Sequence, residues 1–318
     1  MTPLLTIDPA AFAPDAAPEG TVALNERLMA QASGAPDAWS IGPAAVRERR
    51  KLGLSPFIGE PKSARAETVT IPGPGGPLQL RVIAPPAQAT GVYLHIHGGG
   101  WTFGSADQDD PRLDRFAVKL GLVCVSVEYR LAPENPYPAA PDDCEAAALW
   151  LIREAKQRFG AERLLIGGES AGAHLAVVTL LRLRDRHGLT PFARANLTAG
   201  CFDLGLTPSA RSFQPKGLVL GARDLRMFVA QYLQGGENRQ APDVSPLYGA
   251  LAGLPPAIFT VGGRDPLVDD TLFMAARWAA AGNPAELAVW PGSPHVHVAL
   301  PDPQAEPALA RIEAFLKG

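Results

Sequence analysis

The sequence predicts an α/β protein: a mostly parallel central sheet flanked by helices. Three observations carry that reading. Short, near-continuous apolar runs at 91–96 (GVYLHI), 122–128 (LVCVSVE) and 164–167 (LLIG) alternate with amphipathic segments of helix length. Runs that are apolar at nearly every position suit strands covered on both faces, the environment of a parallel sheet. Strands alternating with helices are the mark of βαβ units. Finally, a glycine-flanked serine, Gly168-Glu169-Ser170-Ala171-Gly172, stands between the third run and a helical segment.

Taken in order, the first fifty-odd residues are rich in Ala and Pro. They carry two short helical patterns, at 22–32 and 44–52, punctuated by Gly34, Pro36, Gly42 and Pro43. The second ends in Arg47, Arg49, Arg50 and Lys51. No aromatics interleave with this cluster, so it reads as a solvated helix end that complements the dipole, not a nucleic-acid patch. From residue 66 the texture changes. Runs 67–71 and 78–84 flank Pro72-Gly73-Pro74-Gly75-Gly76-Pro77, a hairpin turn. Strand 91–96 is followed by helix 113–120, strand 122–128 and a long amphipathic helix at 142–159 that Gly160 stops. Strand 164–167 leads at once into a helix from 171 to about 184. Strand 257–261, helix 267–281 closed by Gly282, strand 285–290 and helix 306–316 complete the pattern. Residues 206–240 break the rhythm and read as loop and helix inserted between two strands.

Length and composition narrow the classes. The 318 residues are enough for a sizeable core. At 47% hydrophobic and 19% charged, the chain is too apolar for a disordered one. A net charge of −3 supplies no basic field to recruit nucleic acid or an anionic membrane. Cys124, Cys144 and Cys201 are an odd number without C-x-x-C spacing, which argues against a disulfide scaffold or a structural zinc site. The N-terminal stretch MTPLLTIDPAAFAP lacks a basic region and a sustained apolar run, against a secretory signal. The most apolar run, 175–181, is too short to span a bilayer. A cytoplasmic location is the expectation.

The serine motif has a specific context. A tight strand-to-helix turn is where a nucleophile elbow must sit, with glycines at 168 and 172 because side chains there would collide with neighbouring backbone. The turn lifts Ser170 above the sheet edge and aims the free N–H groups of a helix start at a reacting carbonyl. Taken alone, the motif also fits a serine N-cap. It does not fit G-x-G-x-x-G, and no G-K-[ST] follows, so a phosphate loop is set aside. His97-Gly98-Gly99-Gly100 follows strand 91–96 directly. Backbone N–H groups there can stabilise a tetrahedral oxyanion without reorganising, and the expected donors are Gly98, Gly99 and Ala171. His95 and His97, with His295 and His297, raise the possibility of a metal site. Glycines rather than further ligands follow His97, so no metal is expected.

A serine hydroxyl needs a base, and the base needs a carboxylate to orient it. In α/β-hydrolases the chain order is Ser, then Asp or Glu, then His. His187 ends the elbow helix and reads as a dipole partner. His295 and His297 follow strand 285–290 in a loop above the same sheet edge as the elbow. Asp265 follows strand 257–261 and precedes a helix, where it also fits an N-cap with Pro266 at N1. One helix and one strand separate Asp265 from His295, which makes their loops neighbours. Asp269 and Asp270, on the following helix, are weaker candidates.

Several motifs together resemble the hormone-sensitive-lipase family of bacterial esterases. They are His97-Gly98-Gly99-Gly100-Trp101, Glu128-Tyr129-Arg130-Leu131-Ala132-Pro133-Glu134, Pro138-Ala139-Ala140, Gly168-Glu169-Ser170-Ala171-Gly172, Asp265-Pro266-Leu267 and Pro291-Gly292-x-x-His295. The match covers roughly residues 65–315. The resemblance implies an α/β-hydrolase fold with a helical cap, hydrolysis of short-chain carboxylic esters, and Ser170, Asp265 and His295 as the triad. It divides the chain into 1–55 (first part of the cap), 56–204 (first part of the core), 205–240 (cap insertion) and 241–318 (second part of the core). The family usually follows its catalytic histidine with Gly-Phe; here Val296 and His297 stand there, and His295 is placed ahead of His297. Trp101 is expected to contact substrate, with Phe213, Met227 and Phe228 as further pocket candidates that equally fit the cap's own packing. No cofactor is implied. The expected partner is a small-molecule ester, with no nucleic acid, no membrane insertion, and a homodimer through the sheet edge as a family habit. Acyl transfer, deacetylation, lactone or amide hydrolysis, and a non-catalytic ligand binder are the alternatives.

Overall fold

The computed structural model describes residues 5–13, 15–34, 36–54 and 62–318. Among the described residues, three α-helices precede the sheet: α1 (Glu19–Ser33), α2 (Ala38–Ile41) and α3 (Pro43–Lys51). Strands β1 (Ala66–Gly73) and β2 (Gly76–Ile83) form an antiparallel hairpin whose register closes on Gly73 opposite Gly76. The turn is therefore Pro74-Gly75 alone, tighter than the six-residue turn read from the sequence. Then follow β3 (Gly91–Ile96), α4 (Asp110–Leu120), β4 (Leu122–Val127), α5 (Ala139–Phe159), β5 (Leu164–Glu169), α6 (Ala171–His187) and β6 (Phe192–Thr198). The insertion carries α7 (Pro208–Ser212) and α8 (Ala222–Tyr232). The chain closes with β7 (Ala257–Gly262), α9 (Val268–Ala280), β8 (Ala285–Trp290) and α10 (Ala305–Lys317).

The eight strands form one sheet in the order β1-β2-β4-β3-β5-β6-β7-β8. Pairing is antiparallel at β1/β2 and β2/β4 and parallel from β4 through β8. Strands β3, β4, β5 and β7 are buried at every position, as their unbroken apolar character requires. On one face Leu113 and Phe116 of α4 meet Ile312 and Phe315 of α10. On the other, α5, α6 and α9 supply Leu151, Val177, Leu180 and Met274. Full burial of each such side chain stabilises by about 1.5–3 kcal/mol. Left-handed Gly121, Gly160 and Gly188 end α4, α5 and α6, each donating its N–H back into the last turn.

Strand β6 was not among the strands expected from the sequence. Arg194 and Asn196 interrupt its apolar pattern, and both find tertiary partners. The Arg194 guanidinium lies 4.9 Å from the Phe315 ring, and Asn196 donates to the Tyr93 hydroxyl at 3.3 Å. Cys124, Cys144 and Cys201 are free and buried. Among the described residues no helix is long and apolar enough to cross a membrane. The expected segment boundary at 55/56 lies outside the described residues.

The helices before β1 and those after β6 meet each other. The Trp39 indole N–H donates to Asp224 at 2.8 Å, and Arg223 pairs with Asp37 at 2.8 Å. Helix α1 also reaches the far end of the chain. Thr21 donates to Asp302 at 2.7 Å, and Asn25 donates to the Gly292 carbonyl at 2.9 Å.

Candidate active site

Parallel strands place the loops that follow them along one edge, and that is where the candidate residues gather. Ser170 sits at the junction of β5 and α6 with φ 56° and ψ −122°, a region that costs a non-glycine residue on the order of 1–3 kcal/mol. Two close approaches enforce the turn. A Cβ on Gly168 or on Gly172 would run into the Ile96 carbonyl oxygen, and one on Gly172 would also lie 2.7 Å from the His97 oxygen. The Ser170 N–H donates to the Thr198 carbonyl at 2.9 Å, fixing the elbow against β6.

Asp265 follows β7 and is 1% exposed; His295 follows β8 and is 5% exposed. The Ser170 hydroxyl lies 3.0 Å from His295 Nε2. His295 Nδ1 lies 2.9 Å from Asp265 Oδ2 and 3.1 Å from Oδ1. Asp265 Oδ1 also accepts the Leu267 N–H at 2.8 Å, so the carboxylate steadies the entry to α9 while it faces the imidazole. The two sequence readings of Asp265 are therefore compatible. His297, the other histidine of that loop, faces elsewhere. It is 1% exposed, its ring lies 6.0 Å from Trp290, and burial pulls its pKa down to about 4. Asp269 and Asp270 are occupied too. The first accepts the Ser209 N–H; the second accepts the Phe202 and Asp203 N–H groups and the Thr207 hydroxyl.

The glycine loop is held from several sides. His97 donates from Nδ1 to the Gly98 carbonyl at 2.8 Å and stacks on Tyr129 at 4.1 Å; the Tyr129 hydroxyl donates to the His97 carbonyl at 2.9 Å. Gly99 and Gly100 adopt φ 108° and 60°, which only glycine does readily. Here one sequence expectation is corrected. The Gly98 N–H already donates to Glu169 Oε1 at 2.8 Å, in a buried bond. An amide spent on a side-chain oxygen is not free for an oxyanion. Among the described residues, the Gly99 and Gly100 N–H groups donate to no other group, and they succeed Gly98 as donor candidates beside Ala171 at the start of α6.

Trp101 is a second correction. It is 2% exposed, its ring stacks on Tyr232 at 4.6 Å, and its indole N–H donates to His174 Nδ1 at 3.2 Å. With φ 57° the chain turns this ring inward, so it packs beneath the loop instead of lining a cleft. Phe228 takes the exposed side. Its ring lies so close to Gly100 that a Cβ there would collide with it, and it forms a cluster with Trp39 (4.8 Å) and Phe103 (5.1 Å). Phe213 and Met227 are half-buried on the insertion.

His95 Nε2 lies 3.2 Å from Asp109 and 3.7 Å from Glu169, and these three form the one metal-spaced group among the described residues. Arg112 already donates to both carboxylates, at 2.8 Å to Asp109 and 2.5 Å to Glu169, and so supplies the cation. Burial and the Asp109 charge push the Glu169 carboxyl up to about 8. Burial works the same way on Asp109, but Arg112 outweighs it and holds that carboxyl well below its ordinary value. This cluster has no distinctive spacing in the sequence. Its only local signal was a charged residue inside the elbow motif.

Known proteins share this architecture. A family model of the alpha/beta hydrolase fold matches residues 93–299. The carboxylic ester hydrolase LipN of Mycobacterium tuberculosis is 36% identical over 234 residues, 69% of this chain and 60% of LipN. The esterase LipI of the same bacterium is 36% identical over 259 residues, 77% of this chain and 78% of LipI. Among solved structures, the hyperthermophilic esterase of the archaeon Pyrobaculum calidifontis matches with a TM-score of 0.84 and 31% identity, over 93% of this chain and 97% of that one. Fold, sequence and neighbours agree: the chain belongs to the α/β-hydrolase-fold family, within its hormone-sensitive-lipase group, and is a carboxylic ester hydrolase.

Proposed function

We propose that the protein hydrolyses short-chain carboxylic esters through an acyl-enzyme on Ser170. The observation that carries this is the continuous contact from Ser170 Oγ to His295 Nε2 (3.0 Å) and from His295 Nδ1 to Asp265 (2.9 Å), three groups drawn from three separate loops. His295 takes the serine proton as Oγ attacks the ester carbonyl. Asp265 keeps the Nδ1–H tautomer in place and stabilises the imidazolium that forms. The negative charge on the carbonyl oxygen is met by the N–H groups of Gly99, Gly100 and Ala171. His295 then returns the proton to the departing alcohol. Water, deprotonated by His295, attacks the acyl-enzyme; the bond to Oγ breaks, His295 returns the proton to Ser170, and the carboxylic acid leaves. None of these steps calls for a cofactor.

The helices before β1 together with α7 and α8 are proposed as the cap. In support, Trp39 and Phe228 from these two segments pack edge to face, with Phe228 against Gly100, and Arg47 of α3 donates to the Thr102 and Ala132 carbonyls. In this reading the Phe228 ring beside the donor loop bounds the acyl side and favours short acyl groups.

Ser170→Ala and His295→Ala are expected to lower kcat/KM on p-nitrophenyl acetate by on the order of 10⁴-fold or more. Turnover undiminished in either variant removes that residue from the scheme. Across p-nitrophenyl esters of rising chain length, kcat/KM is expected to peak among the short ones; a maximum at long chains defeats the short-acyl reading.

A further inference from the structure

Glu169 precedes the nucleophile in sequence, yet its side chain turns away from Ser170. Its Oε1 accepts the Gly98 N–H at 2.8 Å. Its Oε2 accepts from Arg112 at 2.5 Å. Arg112 bonds to Asp109 as well, Asp109 faces His95, and Gln108 Nε2 donates to Asp109 at 3.2 Å. Glu169 is 3% exposed, Asp109 7% and His95 1%. Removing so many charged groups from water is expensive, and apolar replacements of similar shape are often as stable or more so. Stability is therefore a poor reason for this network to lie behind the glycine loop.

Its connectivity offers a better one. Catalysis requires Ser170 Oγ and the oxyanion donors at fixed separation, and errors of about half an ångström matter. Those groups lie on two segments distant in sequence, after β3 and after β5. The Glu169–Gly98 bond joins the two directly. Gly98 also lies flat against Glu169: a Cβ on Gly98 would be 3.0 Å from the Glu169 carbonyl oxygen and 3.3 Å from its Cγ, so nothing separates them.

We propose that Glu169 is a positioning residue for ester hydrolysis: through the Gly98 N–H it sets the Gly99 and Gly100 amides relative to Ser170, while Arg112, Asp109 and His95 lock its side chain. This rests on the reading of Ser170 as nucleophile and adds a residue to it.

The test compares Glu169→Gln, which keeps a carbonyl acceptor for Gly98, with Glu169→Met, which keeps the length and removes the acceptor. Each variant is assayed on p-nitrophenyl acetate and for affinity toward a trifluoromethyl ketone, which forms a tetrahedral oxyanion adduct with an active serine. All rates are scaled to titrated active sites. Glu169→Met is expected to lower kcat about 10²-fold, with KM within about threefold, and to weaken the ketone by the same factor as kcat/KM. Glu169→Gln is expected to stay within about tenfold of the parent. A merely structural role would reduce the active fraction without changing ketone affinity per site. A Met variant as active as the parent, or one that loses activity while binding the ketone normally, overturns the proposal.

Should the Met variant not fold, the parent enzyme decides. With ¹⁵N-glycine labelling, adduct formation is expected to move the Gly99 and Gly100 amide protons downfield and leave Gly98 in place. A downfield move of Gly98 overturns the proposal. A Ser170→Ala protein that still turns over ester sinks the hydrolytic reading itself, whereas an intact Glu169→Met beside an inactive Ser170→Ala sinks only the role of Glu169.

Discussion

His174 ties acid stability to the elbow helix and the segment after the glycine loop. It lies one turn into α6, fully buried. Its Nδ1 accepts the Trp101 indole N–H at 3.2 Å, and its Nε2 lies 2.9 Å from the Val244 carbonyl, to which it donates. The first bond needs the neutral ring, because a protonated Nδ1 accepts nothing, whereas the bond to Val244 survives in either form. Burial pulls its pKa from 6.5 down to about 4. The unfolded chain binds this proton near pH 6.5 and the folded chain only near 4, so stability rises with pH between those values. The contribution is complete above about pH 6.5 and is lost as acid is added. From about pH 8 to about pH 5 the two values give a factor of roughly 30, or about 2 kcal/mol. His174→Gln keeps an acceptor and a donor but carries no titrating group. Urea unfolding of both proteins at about pH 8 and pH 5 separates the effects. Any poor fit of glutamine appears at both pH values, whereas the proton term appears only in the parent. The variant is expected to lose about 2 kcal/mol less on acidification. Parallel losses in the two proteins refute the reasoning.

Two further predictions concern the frame around the triad. Gly172→Ala pushes a methyl group into the Ile96 and His97 carbonyls, and a destabilisation of about 3 kcal/mol or more is expected by urea unfolding; a loss under about 1 kcal/mol contradicts the close-approach account. Thr21→Val removes the hydroxyl that Asp302 accepts from α1, and Asp302 in turn accepts from Ser293 in the His295 loop. About 1.5–3 kcal/mol of stability should go, with kcat falling several-fold at constant KM. An unchanged kcat limits α1 to a structural role.

Much of the frame could be read from the chain because its signals are local. Strands β3, β4, β5 and β7 are continuous apolar runs, and the elbow needs glycine within two residues of Ser170. Spacing alone made the Asp265 and His295 loops neighbours. What stayed hidden depended on contacts distant in sequence. Strand β6 is invisible without Tyr93 and Phe315, which satisfy its polar residues. Which two of the three loop glycines keep free amides depends on the Glu169 side chain, and a run of three glycines carries no information on that point. Trp101 follows the loop as a pocket residue would, yet its positive φ and the His174 acceptor draw it inward.

Trp101 shares that positive φ with residues at other corners of the site. Ser170 (φ 56°), Trp101 (φ 57°) and Val296 (φ 52°) each take a positive φ without being glycine, one on each of three of the four segments that build the triad and donor loop. Such residues cost on the order of 1–3 kcal/mol apiece and persist only where their surroundings over-determine them. Each surrounding can be named. Ser170 is held by the Thr198 carbonyl and the tight glycine contacts. Trp101 has the Tyr232 stack, the His174 bond, and the Ala132 N–H donating to its carbonyl at 2.9 Å. Val296 packs against the α4–α10 core and accepts the Ala299 N–H at 3.0 Å. The valine is the telling case, since a β-branched side chain is among the least suited to that region. Its packing against the α4–α10 core helps offset that strain, so this apolar layer supports the backbone of the His295 loop.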